Sequence, residues 1–189
     1  MNRISRLVGI AACAVLPAVS QAQSSTPAHP VSFGVMGGAS VPIGDLGDAV
    51  DLGYTLGAHV LLSPSSLPKL GFRADITYDS WKEKGILNSA TNAKTRNIGV
   101  MGNVILKSSS AMAIKPYAIG GVGLVNSKRS GSIGNVSVGT ASASNFGAQV
   151  GGGLEFQLSG FTTFVEAKFV NAFADKSVNW VPITFGIRF

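Results

Sequence analysis

Cysteine is nearly missing from this sequence. The one thiol among 189 residues, Cys13, falls in an N-terminal segment that reads as a secretory signal over residues 1–22. Arg3 and Arg6 give that segment its positive start, Leu7 to Val19 its apolar stretch, and Ser20-Gln21-Ala22 a small-x-small cleavage site. The mature part, 23–189, is thus left without disulfides, thiol nucleophiles or cysteine-held metals. Lipidation at Cys13 is the weaker alternative, because the apolar stretch continues past it to Val19. Charge is scarce too, at 13% of residues. With the signal removed, 13 basic residues face 9 acidic ones, a surplus too small and scattered for a nucleic-acid footprint. Long apolar runs are also absent after the signal, where nothing approaches the ~18 residues that a spanning helix needs. What is plentiful is glycine, 24 residues, which together with export points to a single domain of β-sheet.

The mature part alternates. From Asn145 to Leu158, Phe146, Ala148, Val150, Leu154, Phe156 and Leu158 share one face, while Asn145, Gln149, Glu155 and Gln157 share the other. That is the period of a strand with one oily and one polar side. Val31–Val41, Gly53–Leu62, Leu70–Trp81, Arg96–Leu106, Phe161–Phe173 and the final stretch to Phe189 follow the same rule, with Met101 and Ile105 as exceptions. Ile114–Asn126 is strand-like, but its glycines leave the register open. Eight strands result, and no amphipathic helix of ordinary length competes. The connections Ser63–Lys69, Lys107–Ala113 and Ser159-Gly160 are short, whereas Pro42–Leu52, Lys82–Lys94, Ser127–Ala143 and Ala174–Asn179 are mostly longer. Long and short ends therefore fall on opposite rims of an all-β, eight-stranded antiparallel up-and-down barrel, as in a transmembrane barrel.

A soluble ligand-binding barrel has the same period with its apolar face inward. Three features favour lipid outside. Phe33, Phe72, Phe156, Phe161 and Phe189 gather near the short-turn rim, and Tyr54, Tyr78, Phe146 and Phe173 near the other, as two interfacial girdles. Arg73, Asp75, Glu155, Glu166, Lys168 and Arg188 lie on the polar faces in the short-turn half, three of each sign. Such charges are expected to pair with one another in the lumen, with Gly147, Gly151 and Gly153 leaving them room. The last strand, Val181-Pro-Ile-Thr-Phe-Gly-Ile-Arg-Phe189, ends on an aromatic.

Val35–Asp45, Lys115–Leu124 and that last strand resemble the small eight-stranded outer-membrane barrels, which include opacity-type surface antigens and the barrels of OmpA-like and OmpX-like proteins. The resemblance covers the mature chain and implies a bacterial outer-membrane location. It also implies contact with outer-membrane lipid and lipopolysaccharide, and recognition by the β-barrel assembly machinery through the strand ending at Phe189. No peptidoglycan-binding domain follows that strand, so wall anchoring is not implied. The expected role is structural or surface-interacting, adhesion included, through extracellular loops, with the partner unspecified. Asp45, Asp48 and Asp51 lack the order of a calcium loop and are expected to be solvated. Lys128-Arg129 has the charge to meet lipopolysaccharide phosphates, though solubilising charge is the plainer reading. A lipid-modifying enzyme would have to use His29 or His59, and neither has a serine elbow or dyad partner in sequence. His59 is expected inside the lumen and hydrogen-bonded. No catalytic, cofactor or metal residue is assigned; a lipid-modifying enzyme or a narrow pore is the alternative function, general diffusion being disfavoured because eight strands enclose a lumen that side chains fill.

Overall fold

A computed structural model describes residues 30–84, 94–108, 114–133, 136–158, 160–174 and 178–189, with the backbone alone at 131–141. The proposed signal over 1–22 and His29 lie outside these residues. The chain forms β1 (Val31–Ile43), α1 (Asp45–Ala49), β2 (Gly53–Leu62), β3 (Leu70–Lys82), β4 (Lys94–Lys107), β5 (Ile114–Ile133), β6 (Val136–Leu158), β7 (Phe161–Phe173) and β8 (Val178–Arg188). Each strand pairs antiparallel with the next, and β8 pairs back onto β1 from Gly34–Arg188 to Ile43–Asn179. Closure removes both sheet edges, so the strand backbones find partners without help from water.

The outward face is apolar along the middle of the strands. Val35, Leu56, Ile76, Val100, Val122, Leu124, Val150, Ile183 and Phe185 are each more than half exposed or close to it. The girdle aromatics stand on this face, with Tyr54 against Tyr78 and Phe146 stacked on Phe173 near the long-loop rim. Inward residues are buried, including every one of the charged residues Arg73, Asp75, Glu155, Glu166 and Lys168. This inversion of the usual globular pattern fits a non-aqueous surround.

Four expectations change. The connection Ser127–Ala143 is largely strand: β5 and β6 run on as a paired ribbon to Ile133 and Val136, shifting register between Ser130 and Gly131. Its Ser, Gly and Thr content gives no sustained oily alternation, which hides the strand in the sequence. The Pro42–Leu52 connection contains a helical turn, α1, entered through Gly44 at φ 59. The open register of Ile114–Asn126 is settled by pairing on both sides, with Tyr117, Ile119 and Val125 buried inside and Val122 and Leu124 outside. Met101 and Ile105 keep the alternation and point inward, where they are buried.

Candidate functional site

Two parts of the barrel are built for more than closure, the filled lumen and the outer end. In the lumen, residues two apart on β3 and on β7 project inward together, so Arg73 and Asp75 face Glu166 and Lys168 across the axis. The Arg73 guanidinium donates from Nη1 to Glu166 Oε2 and from Nη2 to Glu166 Oε1, each at 2.8 Å, and its Nε lies 2.7 Å from Asp75 Oδ1. Lys168 Nζ lies 3.1 Å from Glu166 Oε1 and 3.3 Å from Asp75 Oδ2. Two cations and two carboxylates form a neutral box, which is the arrangement that makes buried charge tolerable. Nearer the short-turn rim Arg188 donates to Glu155 at 2.8 Å. All six charges expected inside are paired, as four and two.

A participant that the sequence concealed is Tyr117, whose hydroxyl donates to Glu166 Oε2 at 2.7 Å. Tyr117 pairs directly with Gly153, and a Cβ there would sit 2.5 Å from the ring. The glycines therefore house rings as much as charges. Gly34 likewise opposes His59, where a Cβ would meet the imidazole at 2.5 Å. Cross-strand glycine–aromatic pairs in the register were the available signal, but the undecided register of β5 masked this one.

His59 is lumenal and 3% exposed, but it is not hydrogen-bonded as expected: both ring nitrogens are without partners among the described residues. It packs edge-on to Phe164, 5.4 Å between ring centres. Neither a nucleophile nor a carboxylate orients it, so the arrangement lacks the geometry of a general base.

Apolar clusters lie on either side of the charge box. Leu61, Ile105, Tyr117 and Ile119 form one toward the short turns. Val50, Trp81, Met101, Val125, Val170, Ala172 and Trp180 form a plug at the outer end, with Trp81 edge-on to Trp180 and with Leu46 and Ala49 of α1 laid over it. Backbone bonds from Asp51 N to Lys82 O (2.9 Å) and Lys84 N to Ala49 O (2.8 Å) pin α1 to the start of the next connection. An axial gap lined by Thr77, Asp79, Gln149, Lys168 and Trp180 measures about 10 Å³, room for no more than one water. Reconstituted in a planar bilayer, the protein should therefore pass no large steady current; such currents would show that the plug and box leave the axis.

At the outer end, α1 and the extension of β4–β6 enclose a cup of about 400 Å³, lined by Leu46, Val50, Asn97, Arg129 and Val178 among others. That volume is within the usual range for ligand pockets. Asn97 is 1% exposed with both side-chain polar atoms unpartnered among the described residues. Arg129 is ion-paired with Glu83, which also accepts from Thr95 at 3.2 Å. The Arg129 hydrogen bond holds the Glu83 carboxyl below its ordinary pKa. Lys128 and Arg129, a couple in sequence, both border the cup, but alternation turns Arg129 to Glu83 and puts Lys128 on the outward register. Among the described residues, no group of three or more His, Cys, Asp or Glu is placed to hold a metal.

No protein-family profile and no curated protein matches the chain. Solved structures do. Neisserial surface protein A aligns with a TM-score of 0.61 at 16% identity, over 85% of this chain and 96% of that one. A major outer membrane protein from Thermus thermophilus aligns at 0.63 and 14%, over 85% and 99%. Ail, the attachment invasion locus protein of Yersinia pestis, aligns at 0.51 and 15%, over 84% and 97%.

Proposed function

We propose, for a chain that carries the fold of the small eight-stranded outer-membrane barrels, that it resides in the bacterial outer membrane as a non-enzymatic scaffold. In this reading residues 1–22 direct export, the barrel anchors the protein, and the outer end meets an extracellular partner. The observation that carries the reading is the division of the surface. The outward wall is apolar, the lumen is closed by paired charges and a tryptophan plug, and the outer end has a shaped, partly apolar cup. Work is then left to the outer end, where a patch of this kind marks an interaction site. An adhesive role fits that position and accords with the name of one structural neighbour, an attachment invasion locus protein.

The test separates residence from role. Cell fractionation should place the protein with outer membranes, and replacement of 128–141 by a short turn should leave the barrel folded while abolishing capture of surface partners by intact cells. Recovery of a native, detergent-free monomer from the soluble fraction would reject residence; undiminished capture would reject the outer extension as the contact.

Recognition by the β-barrel assembly machinery is proposed through β8, whose outward row Val181, Ile183, Phe185, Ile187 precedes Phe189. Phe189 is 69% exposed and its backbone bonds to Phe33, at 3.1 and 2.8 Å. Phe189→Ala should lower the assembled fraction in cells several-fold while the purified protein refolds into vesicles as before. Equal losses in both settings would make Phe189 a matter of barrel stability instead.

A further inference from the structure

The barrel wall carries a cationic patch at the outer edge of its apolar belt, confined to β3, β4 and β5. On β4 the outward residues run Leu106, Val104, Val100, Ile98 and then, directly, Arg96 and Lys94. On β3 they run Phe72, Ile76, Tyr78, a buried Ser80 and then Lys82. On β5 they run Val122, Leu124, Asn126 and Lys128. The register sets these cations against each other, with Lys82 opposite Lys94 and Arg96 opposite Lys128. Directly opposed side chains have their Cβ atoms roughly 5 Å apart, and like charges so placed repel. All four residues are exposed, and none has an ion-pair partner among the described residues. The carboxylate nearest in sequence, Glu83, is engaged by Arg129 and Thr95. In sequence, 85–93 and 131–141 contain no Asp or Glu; Asp51, exposed on the α1 connection, is the acidic neighbour of the patch, its backbone N–H donating to Lys82 O at 2.9 Å.

We infer that this patch binds the phosphoryl groups of a phosphorylated lipid headgroup in the outer leaflet. The inference rests on the membrane reading above and gives its lipid contact a site. Position selects a lipid over a soluble anion. The four residues stand on the outward register, Lys128 also bordering the cup, and begin one outward residue past Ile98, the depth at which a bilayer's headgroups meet the belt. Cations at that depth are attracted to anionic headgroups. Asn126 adds hydrogen-bonding groups beside Lys128, already bonded from Nδ2 to Ser144 Oγ (2.8 Å) and Ser142 Oγ (3.3 Å), in a row suited to the hydroxyls of a sugar-based headgroup. The register makes two pairs of opposed cations, so a headgroup with two phosphates matches the patch better than one with a single phosphate. An anion placed between like charges also removes the repulsion that the bare strands carry.

The test uses the full mature barrel in nanodiscs of three compositions: phosphatidylcholine alone, phosphatidylcholine with bisphosphorylated lipid A, and phosphatidylcholine with the dephosphorylated glycolipid. Co-purification after detergent exchange should retain lipid A at near one per barrel, and Arg96→Gln with Lys128→Gln should weaken retention by on the order of tenfold. The dephosphorylated glycolipid should be lost from wild type and variant alike. Raising salt should weaken retention of lipid A, and pyrophosphate should compete only at far higher concentration. Each of three results would overturn the site: equal retention by wild type and variant, equal retention of the dephosphorylated glycolipid, or equally tight capture of a soluble sulfated polysaccharide. Heat-modified migration of the variant on gels reports the folded barrel independently. A variant that loses lipid A but keeps that migration supports the site, whereas a wild type native without any lipid or detergent defeats the membrane reading itself.

Discussion

Glu166→Gln should cost the barrel about 3–5 kcal/mol, the range for breaking a buried ion pair by removing one partner. Glu166 is 1% exposed, accepts two bonds from Arg73 and one from Tyr117, and lies 3.1 Å from Lys168. Neutralising it leaves two cations sharing Asp75 in a space that holds about one water. Urea unfolding in lipid vesicles measures the loss, and the two tryptophans, Trp81 and Trp180, both lie in the plug and report it by fluorescence. The paired change Arg73→Met with Glu166→Leu removes one charge of each sign and keeps Lys168 with Asp75, so it should recover much of the loss. With the single changes Arg73→Met and Glu166→Leu measured beside the double, the departure from additivity is the coupling between the two sites. A loss below about 1 kcal/mol for Glu166→Gln would mean that the lumen is wet enough to solvate the remaining cations.

Val150→Arg should be nearly as damaging, for the opposite reason. Val150 stands midway along the outward row of β6 between Phe146 and Leu154 and is 62% exposed. In water an arginine at so open a site changes stability by roughly 0.5 kcal/mol or less. At the middle of a bilayer it costs about 2–4 kcal/mol. Leu52→Arg is the matched control, since Leu52 is 66% exposed but lies past the strands, on the α1 connection. Unfolding in vesicles should separate the two substitutions by about 2 kcal/mol or more. Equal and small effects would show that the apolar wall faces water, and the assignment of lipid to the outside would fail with it.

Alternation was enough to place eight strands, to identify which face is oily and to collect six charges on the other. Those conclusions need only the two-residue period, which is local and survives without any knowledge of neighbours. Strand bounds moved where that period fades. β4 begins at Lys94 and β8 at Val178, each earlier than the oily residues indicate, because pairing with a neighbour continues after one face stops being buried.

The candidate sites were less legible. Arg73, Asp75, Glu166 and Lys168 were recognisable as lumenal, but the grouping into a box of four and a pair of two depends on distances across the axis. Tyr117 was invisible because its register was open, and its hydroxyl matters only once Gly153 is known to lie opposite. The cup, too, requires α1 to fold over the plug, which follows from backbone bonds between one connection and the start of the next. From sequence alone came the barrel, its oily wall and six of its lumenal charges, since each of these is a property of single strands; Asp79, 2% exposed and accepting from Ser40 at 2.9 Å, is a seventh that it did not single out. Only the closed structure decided who partners whom, what fills the axis and which cations are left facing outward together. Those depend on pairing and shear between strands far apart in the chain, which no local period records.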